Sequence, residues 1–141
     1  MQILTFTIEI QASPQKVWNA LFDPQNYRLW TNAFHPGTYY LGELKEKNEI
    51  LLLTNEGHGM FSILDTYKPF EQLTFMHQGE IVDGKKAEVI YENAFESYFL
   101  HEIKNGTQLN VSLNCEEEYI EKMNQLFPKA LKRVKEIAEE D

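Results

Sequence analysis

One cysteine, Cys115, in 141 residues rules out an internal disulfide. The four histidines, His35, His58, His77 and His101, form no HExxH pair and meet no cysteine cluster, so no zinc site and no cofactor are expected. Cationic residues are few, 13 Lys and Arg against 22 Asp and Glu, for a net charge of -9. Such a surface repels phosphate backbones and anionic bilayers, so nucleic acid is not expected as a partner. No apolar run approaches the ~20 residues a membrane span needs. Met1-Gln2-Ile3-Leu4 lacks a basic region followed by an apolar one, and the expectation is a soluble, cytoplasmic protein. Asn105-Gly106-Thr107 and Asn110-Val111-Ser112 match the glycosylation sequon, but both fit a hairpin better.

What is present points to one α+β domain over 1–141. Hydrophobic residues make up 43% and aromatics 13%, enough for a core in a chain that should bury roughly two-thirds of its unfolded surface. Leu4, Phe6, Ile8 and Ile10 alternate with Ile3, Thr5, Thr7 and Glu9, the period of a half-buried strand. Ser13-Pro14 and Asp23-Pro24 then read as two consecutive helix starts, each with a capping side chain and proline at the first helical position. The spacing predicts strands at 39–41, 49–54, 60–67 and 72–78, and a charged loop over 79–88 with a turn at Asp83-Gly84.

Strands 95–104 and 107–115 flank Asn105-Gly106, a strong hairpin signal. A type I′ turn there sets Lys104 against Thr107. It puts Tyr98, Leu100 and Glu102 on one face with Leu109, Val111 and Leu113, and Phe95, Phe99 and Ile103 on the other. Asn114 with Glu117 resembles a capping box. Tyr119, Ile120, Met123, Leu126, Phe127, Ala130, Leu131, Val134, Ile137 and Ala138 then recur at helical spacing. Pro128 inside that helix removes a hydrogen bond and is expected to bend it, leaving room beneath.

The ordered segments resemble a known superfamily. They are Ala12-Ser13-Pro14-Gln15-Lys16-Val17-Trp18, Leu29-Trp30, Gly59-Met60-Phe61-Ser62-Ile63, Phe75-Met76-His77-Gln78-Gly79-Glu80, Ala94-Phe95-Glu96-Ser97-Tyr98 and Phe127-Pro128-Lys129-Ala130-Leu131. Together they look like the START-like (SRPBCC) superfamily with the birch-pollen-allergen, helix-grip fold. Within it the chain is similar to the branch called activator of heat-shock-protein ATPase homologue-like. The resemblance implies a curved seven-stranded antiparallel sheet around a long C-terminal helix, with two short helices after the first strand. It also implies an internal cavity that in relatives often holds a lipid, sterol, polyketide or other apolar molecule. Leu44, Lys47 and Tyr91 depart from the family pattern near the cavity mouth, where Trp, Gly and Trp are usual.

The cavity-lining candidates are Trp30, Phe34, Leu52, Met60, Ser62, Phe75, His77, Tyr91, Tyr98, Tyr119, Met123 and Phe127. The plain alternative is that these side chains fill a core. His77 shares strand parity with Phe75, so it reads either as a core histidine with a backbone partner or as a polar anchor or general base. Ser62 lacks the strand-turn-helix elbow of a hydrolase nucleophile. Cys115 stands beside Glu116, Glu117 and Glu118, which do not favour a thiolate. The expected function is binding of a small hydrophobic or amphipathic molecule, with His77, Tyr98 and Ser62 orienting it. The alternatives are a chaperone-type or regulatory interaction module with a filled core, and a cyclase- or hydratase-like enzyme. Phe95, Phe99 and Ile103 form the expected contact patch for a homodimer or protein partner.

Overall fold

Two prolines at helix starts decide how the chain leaves its first strand. The computed structural model describes residues 1–140. Strand β1 (Gln2–Ile10) leads into α1 (Pro14–Phe22) and α2 (Pro24–Thr31). The Ser13 hydroxyl accepts from the Lys16 N–H at 3.3 Å. Asp23 ends α1 and opens α2, its carboxylate accepting from the backbone of Gln25 and Asn26. Each side chain satisfies donors that a helix start leaves open. The Trp30 indole N–H donates to the Leu21 carbonyl at 2.8 Å, which ties α2 to α1.

The helix pair carries the chain to the far edge of one antiparallel sheet. Strands β2 (Tyr39–Leu41), β3 (Glu49–Leu53), β4 (Gly59–Lys68), β5 (Gln72–Val82), β6 (Lys85–Ile103) and β7 (Gly106–Cys115) follow as a meander. The spatial order is β1-β7-β6-β5-β4-β3-β2, so the first strand pairs with the last. Register shifts interrupt β4/β5 near Ser62 and β5/β6 around Gly79; such bulges add local twist and bend a sheet. Helix α3 (Glu117–Glu139) packs against β1, α1 and α2. The antiparallel sheet, long closing helix and paired short helices make the helix-grip α+β fold.

Burial along α3 is uneven. Phe127, Ala130, Leu131, Val134 and Ala138 are buried, whereas no residue from Glu117 to Leu126 is. The helix runs unbroken through the exposed Pro128, which marks the boundary between the packed half and the half that stands off. Its C-terminal end is pinned by Glu139, which accepts from the Gln11 N–H at 2.7 Å.

Four expectations are corrected. Residues 79–88 are not a loop: β5 runs to Val82 and β6 starts at Lys85. The turn at Asp83-Gly84 does form, with positive φ at both residues (52° and 77°). Gly79 and Ile81 are buried but most of this ribbon is exposed, so the run of alternating apolar residues that marks a strand is missing. The ribbon rests on the β3–β4 loop, where the Gly84 N–H donates to the Gly57 carbonyl, and Lys86 pairs with Glu49 of β3 at 2.8 Å.

The β6/β7 register is also shifted by two residues. Ile103 faces Gly106 and Tyr98 faces Val111; because the shift is even, the two face sets survive. Gly106 is needed for space: a Cβ there would meet the Ile10 carbonyl oxygen at 2.1 Å. Asn114 is not a helix cap. Its side chain accepts from the Phe95 N–H at 2.9 Å and donates to the Asn93 carbonyl, and Glu116 precedes the helix without a side-chain cap bond. Finally, Phe95, Phe99 and Ile103 do not make one exposed stripe. All three are half-buried, and Phe95 borders the interior cavity.

Replacing Gly106 with alanine is expected to destabilise the fold by ~2 kcal/mol or more, toward the upper part of the overpacking range. Gly84→Ala meets nothing within 4 Å and carries only the left-handed backbone cost of roughly 1–2 kcal/mol. Urea unfolding of both variants checks the ranking; equal losses would contradict the close approach of β7 to the end of β1.

Candidate functional site

Where the N-terminal half of α3 stands off the sheet, a cavity of about 580 Å³ remains. Ten of the twelve residues singled out in the sequence lie in its wall: Trp30, Phe34, Leu52, Met60, His77, Tyr91, Tyr98, Tyr119, Met123 and Phe127. The inner end is buried and aromatic. Trp30 meets Tyr27 edge-on at 5.4 Å between centroids, and Phe34 meets Phe127 at 4.8 Å. The exposed Met1, Glu116, Glu118 and Tyr119 mark the rim. That volume lies within the ~300–1,000 Å³ typical of small-molecule sites.

The other two candidates sit behind the wall. Ser62 is fully buried, and its hydroxyl lies 2.7 Å from His77 Nδ1. Phe75, 1% exposed, lies nearly parallel to the His77 ring at 6.3 Å. Both position His77 and do not face the cavity. On its other side, His77 Nε2 lies 3.2 Å from Glu96 Oε1, and the Tyr98 hydroxyl donates to Glu96 Oε2. The partners of His77 are therefore side chains on β4 and β6, where the core reading predicted backbone. Because an ionised carboxylate only accepts, Nε2 must donate to Glu96, and Nδ1 is left to pair with the Ser62 hydroxyl.

Glu96 is the residue that sequence reasoning missed. Its signal was parity, since it shares the inward face of β6 with Tyr98. Burial pushes its pKa up, but the hydrogen bond and charge of His77 and the bond from Tyr98 outweigh it and hold the carboxyl below its ordinary value. Burial and the Glu96 charge raise the Tyr98 phenol. Glu96 is thus a carboxylate, and Tyr98 a neutral donor to it. Burial and Glu116 also push the Cys115 thiol up, which makes it a poor nucleophile.

The remaining histidines lie outside this constellation. His35 approaches Glu56 at 3.5 Å and His58 approaches Asp83 at 3.9 Å, both pairs at the surface, and His101 is exposed. Ser62 cannot serve as a nucleophile, because its hydroxyl is sealed behind His77. A proton acceptor role for His77 would require a substrate to displace Glu96 or Ser62 first.

The lowered Glu96 pKa carries a pH signature. A group whose pKa is lower folded than unfolded contributes stability above the unfolded value, ~4.3 for Glu. That stability is lost as pH falls through the folded value. The difference in urea unfolding free energy between the unmodified protein and Glu96→Gln should be largest near neutrality and shrink below pH ~4. A difference that is constant or grows from neutral to acid pH would contradict the assigned network.

No family model and no curated protein matches the chain. Solved structures do match along nearly its whole length. Protein MLL2253 from Mesorhizobium loti is 11% identical with a TM-score of 0.76, covering 96% of both chains. The Aha1 dimer from Colwellia psychrerythraea is 19% identical with a TM-score of 0.75, covering 99% of this chain and 97% of that one. CalU16 from Micromonospora echinospora is 17% identical with a TM-score of 0.69, covering 97% and 76%. At these identities the likeness is one of fold, and it agrees with the helix-grip architecture built above from the chain itself.

Proposed function

We propose that the protein binds a small, largely apolar or amphipathic molecule, non-covalently, in the cavity between the sheet and the N-terminal half of α3. The observation that carries this reading is the cavity itself. The interior is packed where α3 meets the sheet below Phe127, and it opens to about 580 Å³ above it. Apolar walls supply affinity, and a few fixed polar groups at the inner end orient the ligand. Lipids, sterols and polyketide-like molecules are the classes that the family resemblance favours. Catalysis is the weaker reading, because both nitrogens of His77 are engaged and Ser62 is enclosed.

A second reading, self-association or docking of a protein partner, is favoured by the half-buried Phe99 and Ile103 on the helix-free face of the sheet. The dimeric state of the Colwellia Aha1 neighbour points the same way. Light scattering on the purified protein tests it: a dimer that Phe99→Glu dissociates supports it, and a monomer at all concentrations removes self-association.

The cavity reading is tested with N-phenyl-1-naphthylamine, a neutral apolar dye that fluoresces in dry sites. Saturable binding is expected. Met123→Trp fills the cavity from a half-buried position on α3 and should weaken binding by ~10-fold, equivalent to ~1.4 kcal/mol. Absence of binding, or unchanged affinity in the variant, would contradict the reading. Native mass spectrometry with extraction of any co-purified adduct would identify a resident ligand.

A further inference from the structure

The charge on the cavity wall selects among amphipathic ligands. Four carboxylates line it, Glu80, Glu96, Glu116 and Glu118, and no lysine or arginine does among the described residues. Among the described residues, the one lining side chain that can carry a positive charge is His77, already bound to Glu96. The wall is therefore net negative whether or not His77 carries a proton. Fatty-acid carboxylates and phosphate head groups meet net repulsion there.

A second observation points to a ligand at the inner end. Tyr27 is 6% exposed and lines the cavity, yet its hydroxyl has no hydrogen-bond partner among the described residues. Among the described residues no fully enclosed side-chain polar atom lacks a partner, so this hydroxyl opens onto the cavity. Burial, helped by the nearby Glu96 charge, keeps the Tyr27 phenol protonated. Glu96 makes one bond from each oxygen, to His77 and Tyr98, and a carboxylate has about four lone-pair sites. The inner end thus offers a carboxylate with acceptor capacity left, an unpartnered hydroxyl, and the rings of Trp30 and Phe34. Carboxylate and aromatic ring are the partners that a desolvated organic cation seeks.

We propose that the cavity takes an amphipathic organic cation: an amine whose ammonium group sits at the inner end by Glu96 and the Tyr27 hydroxyl, with its apolar body along Met123 toward the rim. This rests on the cavity-binding reading above and narrows its ligand class. In a low-dielectric site the attraction between Glu96 and an ammonium is screened less than one at the rim. The rim acids Glu116 and Glu118 steer cations inward and raise the on-rate.

The test compares three probes of one chain length by isothermal titration calorimetry at neutral pH: decylammonium, 1-decanol and decanoate. Decylammonium is expected to bind at least ~10-fold tighter than the other two. In Glu96→Gln the preference should disappear, decylammonium binding no tighter than 1-decanol measured on the same variant. The comparison on the unmodified protein stands even if that variant fails to fold. Decanol or decanoate binding as tightly as decylammonium would overturn the cation proposal and leave the cavity reading intact. A preference that persists in Glu96→Gln would overturn the placement of the ammonium at the inner end. Failure of all three probes, and of the neutral dye, would overturn the cavity reading itself.

Discussion

One helix must cover a sheet that curls away from it, and it can pack tightly along only part of its length. Helix α3 spends its buried residues, Phe127 to Ala138, on β1, α1 and α2. Its first ten residues keep no buried position. The bulges in β4/β5 and β5/β6 bend the sheet opposite that half. The cavity is what remains between a bent sheet and the unburied end of a helix. Its inner end is closed by Tyr27, Trp30 and Thr31 of α2, and α2 is tied to α1 by the bond between the Trp30 indole and the Leu21 carbonyl.

A carboxylate at the bottom of such a space is costly unless its neighbours are fixed first. Three strands share that task. Ser62 on β4 and Phe75 on β5 hold the His77 ring, His77 meets one oxygen of Glu96, and Tyr98 meets the other. Every member with an enclosed polar atom is satisfied, which is the condition under which a buried network rigidifies a core. The same arrangement makes His77 and Ser62 poor reagents. It leaves Glu96 and Tyr27 as the inner groups with unused hydrogen-bonding capacity.

Much of the fold was legible because burial is one-sided in the relevant segments. The alternation in β1, the Ser13-Pro14 and Asp23-Pro24 starts and the stripe on α3 each report a single apolar face. Residues 79–88 were not legible, since their buried positions are only Gly79 and Ile81, too few apolar side chains to betray the strand period. The hairpin register failed by two because Gly106 answers to the close approach of the Ile10 carbonyl, a contact between residues far apart in sequence. Asn114 looked like a cap because caps and strand-edge amides use the same side chain; β6 claims it here. Ten wall residues could be read from parity and resemblance. Glu96 shares that parity but carried no role by itself, because a charge on an inward strand position makes sense only once His77 and Tyr98 are seen on either side of it. Tyr27 was hidden in a short helix whose orientation depends on Trp30.

The central claim is that the space under the N-terminal half of α3 is a binding site, and the two tryptophans provide a direct measurement. Trp30 lines the cavity, whereas Trp18 packs against Phe22, Tyr67 and Phe70 outside it. A two-dimensional NMR titration of the 15N-labelled protein with an amphipathic amine reads both indole N–H signals at once. The account predicts a saturable shift of the Trp30 signal with the Trp18 signal unmoved. A Trp18 signal that moves while Trp30 stays fixed, or two signals that never move, would contradict it.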